Sequence, residues 1–210
     1  MSSKCQFKVM TVGYLGYLIS FDGVAVDPTK IQSIQTWPVS TSPKGVHGFL
    51  GLAGYYRKFV RGFGVIVALL TKLLTNEGFH WTEESLLAFN QLKYALTSPP
   101  VLRLLDFTQQ FVVERDACGD GLSAILSQQN QPIAYFSEAL KGKATLLSTY
   151  DKEMLDVVKV IRKWRPYLLG KSFVIKTNHR NLKYLLEQRI TTPSQERWLP
   201  KLMGFDCSIQ

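Results

Sequence analysis

The hydrophobic period of the chain changes at Ser98-Pro99-Pro100. Upstream, several segments open on helix start signals and carry apolar residues at helical spacing. Downstream, short β-type runs separated by turns take over, so the expected fold class is α+β. Asp27-Pro28 sets an N-cap before a proline at the first helical position and predicts a short helix to about Thr36, stopped by Trp37-Pro38. Ser42-Pro43 repeats the signal and predicts a second helix through Tyr55, Tyr56 and Phe59. Gly45, Gly48, Gly51 and Gly54 fall inside it, each costing roughly 0.5–1 kcal/mol relative to alanine, so packing has to support that helix. Val65 to Leu74 predicts a third, mostly buried helix, and Thr82-Glu83-Glu84 opens a fourth with acids where the helix dipole favours them.

The first 27 residues read as strand and turn, with Phe21-Asp22-Gly23 leading into Val24-Ala25-Val26. After the prolines, Phe111 to Val113, Gly121 to Leu126 and Pro132 to Phe136 read as strands, the last two joined by a hairpin at Gln128 to Gln131. A long helix is expected from about Ser148 to Leu168. Its Glu153, Val157, Ile161, Trp164 and Leu168 share one face. Phe173 to Ile175 predicts a strand, Arg180 to Leu186 a short helix, and Thr192-Pro193 a last helix reaching Met203. Pro200 falls inside that helix, where a proline costs about 3 kcal/mol. Phe205 to Ile209 begins a strand that is expected to lack a partner.

Composition limits the function classes. Apolar residues make up 46% of the 210 and charged residues 20%, enough to build a core. The apolar runs are far too short to span a bilayer, and the N-terminus lacks the apolar run of a secretory signal. Cys5, Cys118 and Cys207 are odd in number and widely spaced, which argues against a disulfide framework or a structural zinc site and for an intracellular, reducing setting. The net charge is +9, with +5 in the first 105 residues (10 basic, 5 acidic) and +4 in the rest (15 basic, 11 acidic). A basic excess spread this evenly forms no tail, and nucleic acid is its natural partner.

Three polar features of the second half invite chemistry. Asp116 follows the strand Phe111 to Val113; Glu153 sits on the apolar face of the long helix; Asn178-His179 lies at the end of the strand Phe173 to Ile175. Such groups can converge, and clusters of hard oxygens bind Mg²⁺, two of which can run phosphodiester hydrolysis. Each also has a plainer reading: Asp116 as a turn former, Glu153 as a solvated acid with Asp151 and Asp156 as exposed alternatives, and His179 as a surface residue. No GxSxG elbow, P-loop, GxGxxG or HExxH competes.

The ordered string of motifs resembles the polymerase of gypsy-type LTR retrotransposons. It comprises Lys4 to Phe7, Tyr14 to Ser20, Phe49 to Phe59, Trp81-Thr82, Arg115-Asp116-Ala117, Pro132 to Ser137, Tyr150 to Glu153, Lys163 to Gly170 and Leu182 to Leu186. The wording of Trp164 to Gly170 is most similar to plant elements. The resemblance implies the end of a reverse transcriptase palm over residues 1–27, with the Tyr14 to Tyr17 turn as primer grip. Thumb-like helices follow over 28–76, a connecting helix over 77–106, and over 107–210 a C-terminally truncated ribonuclease H-like domain, a mixed sheet with flanking helices. The implied nucleic-acid contacts are Tyr14, Gly16, Tyr17, Tyr55, Tyr56, Arg57, Lys58 and Arg180, to an RNA–DNA hybrid or duplex, with the rest of a polyprotein as a further partner and no membrane.

The same resemblance makes Asp116 and Glu153 the first two of four carboxylates that hold Mg²⁺. The third would fall at Asn178, a neutral residue where the family usually has Asp, and the fourth beyond Gln210; His179 is a weaker catalytic candidate. The polymerase's paired aspartates would lie upstream of Lys4. The expectation is therefore a retroelement-derived fragment whose lineage activity is cleavage of RNA in hybrids and which is inactive as written. The alternatives are a non-catalytic nucleic-acid-binding module or a pseudogene product.

Overall fold

The structure, a computed structural model, describes residues 8–75, 79–115, 121–177 and 192–210. Its first element is a three-stranded antiparallel meander of β1 (Thr11–Tyr14), β2 (Tyr17–Ser20) and β3 (Gly23–Val26). The β1–β2 turn is the two residues Leu15 and Gly16, both left-handed at φ +50° and +78°, the geometry that matches strand twist in a tight hairpin. The four expected helices follow as α1 (Pro28–Gln35), α2 (Pro43–Tyr55), α3 (Phe63–Lys72) and α4 (Glu83–Thr97). Asp27, Ser42 and Thr82 cap α1, α2 and α4, Thr82 in a reciprocal capping box with Ser85. Phe59 belongs to a separate 3₁₀ turn, Arg57–Phe59. At Gly45, which weakens α2 on propensity, an added Cβ would displace the Ser40 side chain.

The second half is a five-stranded mixed sheet, ordered β6-β5-β4-β7-β8. Its strands are β4 (Phe111–Arg115), β5 (Gly121–Gln128), β6 (Gln131–Ala139), β7 (Ser172–Lys176) and β8 (Asp206–Ile209). The β4–β5 and β5–β6 pairs are antiparallel, and the β4–β7 and β7–β8 pairs parallel. Helix α5 (Thr149–Lys163) covers the sheet and turns at Trp164 into a single further turn, α6 (Arg165–Leu168). The expected apolar face is confirmed: Val157, Ile161, Trp164 and Leu168 are all buried, and Glu153 with them. Residues 180–186, expected as a short helix, lie outside the described residues.

Two expectations are corrected. The strand near Ile209 does have a partner: β8 pairs in parallel with β7, and beyond it the Gln210 N–H donates to the Ile175 carbonyl (2.9 Å) while the Thr177 N–H donates to that of Gln210 (2.9 Å). Helix α7 (Pro193–Trp198) ends before Pro200, which sits in a 3₁₀ turn over Leu199–Lys201. An i→i+3 turn has no i→i+4 ladder for the proline to interrupt, so the interior-helix penalty does not arise.

One apolar core lies among the meander and α1–α4, and a second between the sheet and α5. Strand β6 is the wall between them, with Tyr135 packed on the first core and Ala134 and Phe136 on the second, as strand alternation requires. Helix α3 docks end-on to this wall. The Gly64 N–H donates to Ser137 Oγ at 2.7 Å, and a Cβ on Gly64 would sit 2.7 Å from the backbone of Glu138. A glycine is required at that contact.

Candidate nuclease site and nucleic-acid interface

The end of β4 faces the first two turns of α5. Glu153 and Asp156, three residues apart on the buried face, are each 3% exposed. Arg115, the last residue of β4, reaches both: Nη1 donates to Glu153 Oε1 and Nε donates to Asp156 Oδ2 at 3.1 Å. The other oxygens, Glu153 Oε2 and Asp156 Oδ1, are buried with no hydrogen-bond partner among the described residues, as is the Tyr150 hydroxyl. Burial pushes the Asp156 carboxyl up to about 7, and the adjacent guanidinium only partly offsets this. Asp156 is therefore not the exposed acid that its helix position suggested. Asp151 is only partly exposed; the Trp198 indole N–H donates to it at 2.7 Å and holds its carboxyl below the usual range.

Asp116, Asn178, His179 and Arg180 lie outside the described residues. Of the predicted nuclease positions the structure thus places Glu153 alone, and it adds Arg115 and Asp156. The i, i+3 spacing of Glu153 and Asp156 was a usable signal for the acid pair. Arg115 lies 38 and 41 residues from its partners, and no local pattern points to it.

The interface candidates cluster where the β1–β2 hairpin meets α2. The Tyr17 ring stacks on Tyr55 and Phe59, with centroids 5.3 and 5.8 Å apart, and meets Tyr56 edge-on. The hydroxyls of Tyr55 and Tyr56 donate to the carbonyls of Leu15 (2.6 Å) and Gly16 (3.2 Å), so both tyrosines clamp the hairpin turn. Lys58 Nζ lies 4.2 Å from the Tyr17 ring centroid, and burial lowers its pKa. Burial also raises the Tyr17 hydroxyl well above its ordinary value. Tyr56 is 1% exposed and serves this junction, whereas Tyr14, Tyr55 and Arg57 face solvent.

Below the junction a groove of about 340 Å³ separates the two halves. Tyr55, Arg57 and Lys58 line one side, and Ser137, Lys163 and Tyr167 the other. Lys163 and Tyr167 sit at the exposed end of α5 and on α6, and nothing in the helix pattern marks them as facing a site.

The family model of the RNase H-like domain found in reverse transcriptase matches residues 81–175. The chain is 34% identical over 208 residues to the retrovirus-related Pol polyprotein from transposon 297 of Drosophila melanogaster, a match covering 98% of this chain and 20% of that protein. The Pol polyprotein from the Drosophila transposon gypsy is 33% identical over 211 residues (93% and 20%), and the transposon Tf2-3 polyprotein of Schizosaccharomyces pombe 33% over 221 (99% and 16%). Along nearly its whole length the chain is similar to the Pol polyproteins of LTR retrotransposons. It spans about a fifth of the length of these relatives.

The fold is shared with solved structures. A foamy viral protease-reverse transcriptase in complex with double-stranded DNA superposes with a TM-score of 0.82 at 21% identity, over 95% of this chain and 37% of that one. The same viral protein in complex with an RNA/DNA hybrid gives 0.78 at 21% identity, over 95% and 29%. Among the described residues, no group of three or more His, Cys, Asp or Glu comes together to hold a metal ion, and no helix is long and apolar enough to cross a membrane. The described side chains do not fit a divalent ion as they stand. The guanidinium takes one oxygen of each acid and already supplies positive charge between them.

Proposed function

We propose that this chain grips an RNA–DNA hybrid or duplex and is silent as a nuclease. The grip involves the hairpin tip (Tyr14, Gly16), the thumb-like helices and the groove below them, with residues 1–27, 28–76, 77–106 and 107–210 acting as palm end, thumb, connecting helix and ribonuclease H-like domain. The observation that carries this reading is the groove itself. Cations and aromatic rings from both halves, Arg57, Lys58 and Tyr55 against Lys163 and Tyr167, converge on one channel. A phosphate backbone needs the first, and base or sugar faces favour the second. The foamy viral relatives in the fold comparison hold duplex DNA and an RNA/DNA hybrid, which supports the same use here.

The lineage activity, Mg²⁺-dependent cleavage of the RNA strand, calls on Asp116 and Glu153 with two further acids. Asn178 supplies no charge at the third position, and Arg115 occupies Glu153. We therefore assign no cleavage step to this chain. Two measurements test the reading. Anisotropy with a labelled RNA–DNA hybrid should show affinity falling with salt, and Lys163→Ala should reduce the slope of log K against log salt by about 1. Weak, salt-independent binding would sink it. Hybrid cleavage in Mg²⁺ that Asp116→Ala abolishes would overturn the silent-nuclease part.

A further inference from the structure

We infer that Arg115 is the resident cation of the acidic face formed by Glu153 and Asp156, and that it excludes a divalent metal ion which those acids would otherwise bind. Two carboxylates 3% exposed need compensating charge, because desolvating them unpaired is costly. Among the described residues, the recorded ion pairs of both acids go to Arg115. Lys159, on the same helix, also acts on Asp156 electrostatically, but its ammonium is engaged by Glu138 at 2.6 Å. One guanidinium therefore compensates two acids and satisfies one oxygen of each.

The remaining oxygens are the decisive observation. Glu153 Oε2 and Asp156 Oδ1 are buried and lack a hydrogen-bond partner among the described residues. Two unpartnered carboxylate oxygens are hard ligands of the kind Mg²⁺ and Mn²⁺ take. A cavity of about 450 Å³ bordered by Arg115, Asp156, Lys152 and Thr145 opens beside the cluster on the Asp156 side. An arginine stays protonated throughout the working pH range, so it does not vacate the place by losing charge. Metal and guanidinium are then alternatives at one acidic face, and the side chain present decides between them. The inference rests on the proposed ribonuclease H lineage only for the identity of the displaced ion.

The test is metal binding by the full chain, read as a melting shift in Mg²⁺ against NaCl of equal ionic strength and as heat on titration with Mn²⁺. The wild type should show neither. Arg115→Met should melt lower without metal, and near-saturating Mg²⁺ should raise its melting temperature by roughly 5–10 °C. Adding Glu153→Gln should abolish that rise. A wild-type response that Glu153→Gln removes would overturn the inference, as would a folded Arg115→Met protein that ignores both metals. Should Arg115→Met fail to fold with or without metal, Arg115→Gln takes its place, removing the charge while keeping a hydrogen-bond donor beside both acids. A metal response dependent on Glu153 then supports the inference, and no response overturns it. Hybrid binding by the wild type is measured separately. Its absence would strike the proposed grip and leave the metal result standing.

Discussion

The aromatic junction of Tyr17, Tyr55, Tyr56 and Phe59 and the ionic cluster of Arg115, Glu153 and Asp156 both tie together elements distant in sequence, by opposite means. At the junction the rings contribute stacked and edge-on contacts, and the Tyr17, Tyr55 and Tyr56 hydroxyls each find a carbonyl. In the cluster two acids share one base and leave two buried oxygens without a partner among the described residues. The first is a finished packing solution. The second carries a polar deficit that stability alone does not explain, since apolar side chains of the same volume would often be as stable.

The comparison breaks most sharply on single removals. Tyr56→Ala deletes a ring that is 1% exposed and should cost about 4 kcal/mol in urea denaturation, with little salt dependence. Arg115→Met should cost about 3 kcal/mol, because it strands two buried acids rather than because the pair itself is worth that much. The distinguishing result is its repair. Removing the acids as well, in Arg115→Met/Glu153→Gln/Asp156→Ala, should restore most of the loss, and no second change near Tyr56 should do the same for Tyr56→Ala. Equal failure to repair would mean that the cluster is as finished as the junction.

The next effect is the pH dependence. Asp156 has a folded pKa of about 7 against an ordinary 3.8, so the folded state holds its proton more tightly than the unfolded chain does. Its contribution is fully present below about 4 and is lost as pH rises to about 7, so stability falls across that window. Asp151, held below its ordinary value first by the Trp198 indole, acts with the opposite sign and only below about 4. Asp156→Asn should flatten the profile between about 4 and 7 in thermal melts. A wild-type profile already flat there would show that Arg115 fully compensates the acid.

The sequence made one of these regions easier to read than the other, for physical reasons. Caps at Asp27, Ser42 and Thr82, the period of α5 and the strand runs are local signals, and all of them appear in the fold. Glu153 was found because a carboxylate interrupted an apolar stripe. Asp156, on the same helix, was read as solvated because its burial depends on Arg115, contributed by a strand 41 residues away. The partner of β8 was missed for the same reason: parallel pairing with β7 leaves no local pattern. Tyr17 and Tyr56 were recognisable as motif residues, but only the packing shows that they hold each other before they could hold anything else.

The smallest expected effect returns to the junction and asks how finished it is. Tyr56→Phe keeps the ring and deletes only the hydroxyl that donates to the Gly16 carbonyl at 3.2 Å. That carbonyl also accepts from the Asp27 N–H at 3.1 Å, so it is not orphaned by the change. A hydrogen bond lost without leaving its acceptor unsatisfied costs little, here about 0.5 kcal/mol or less. The cluster offers the converse case, in which each acid oxygen bonded to Arg115 has no second donor recorded among the described residues. A urea-melt loss for Tyr56→Phe approaching that of Arg115→Met would mean that the Gly16 turn depends on the hydroxyl as the acids depend on the guanidinium. The two regions would then differ in chemistry and not in redundancy.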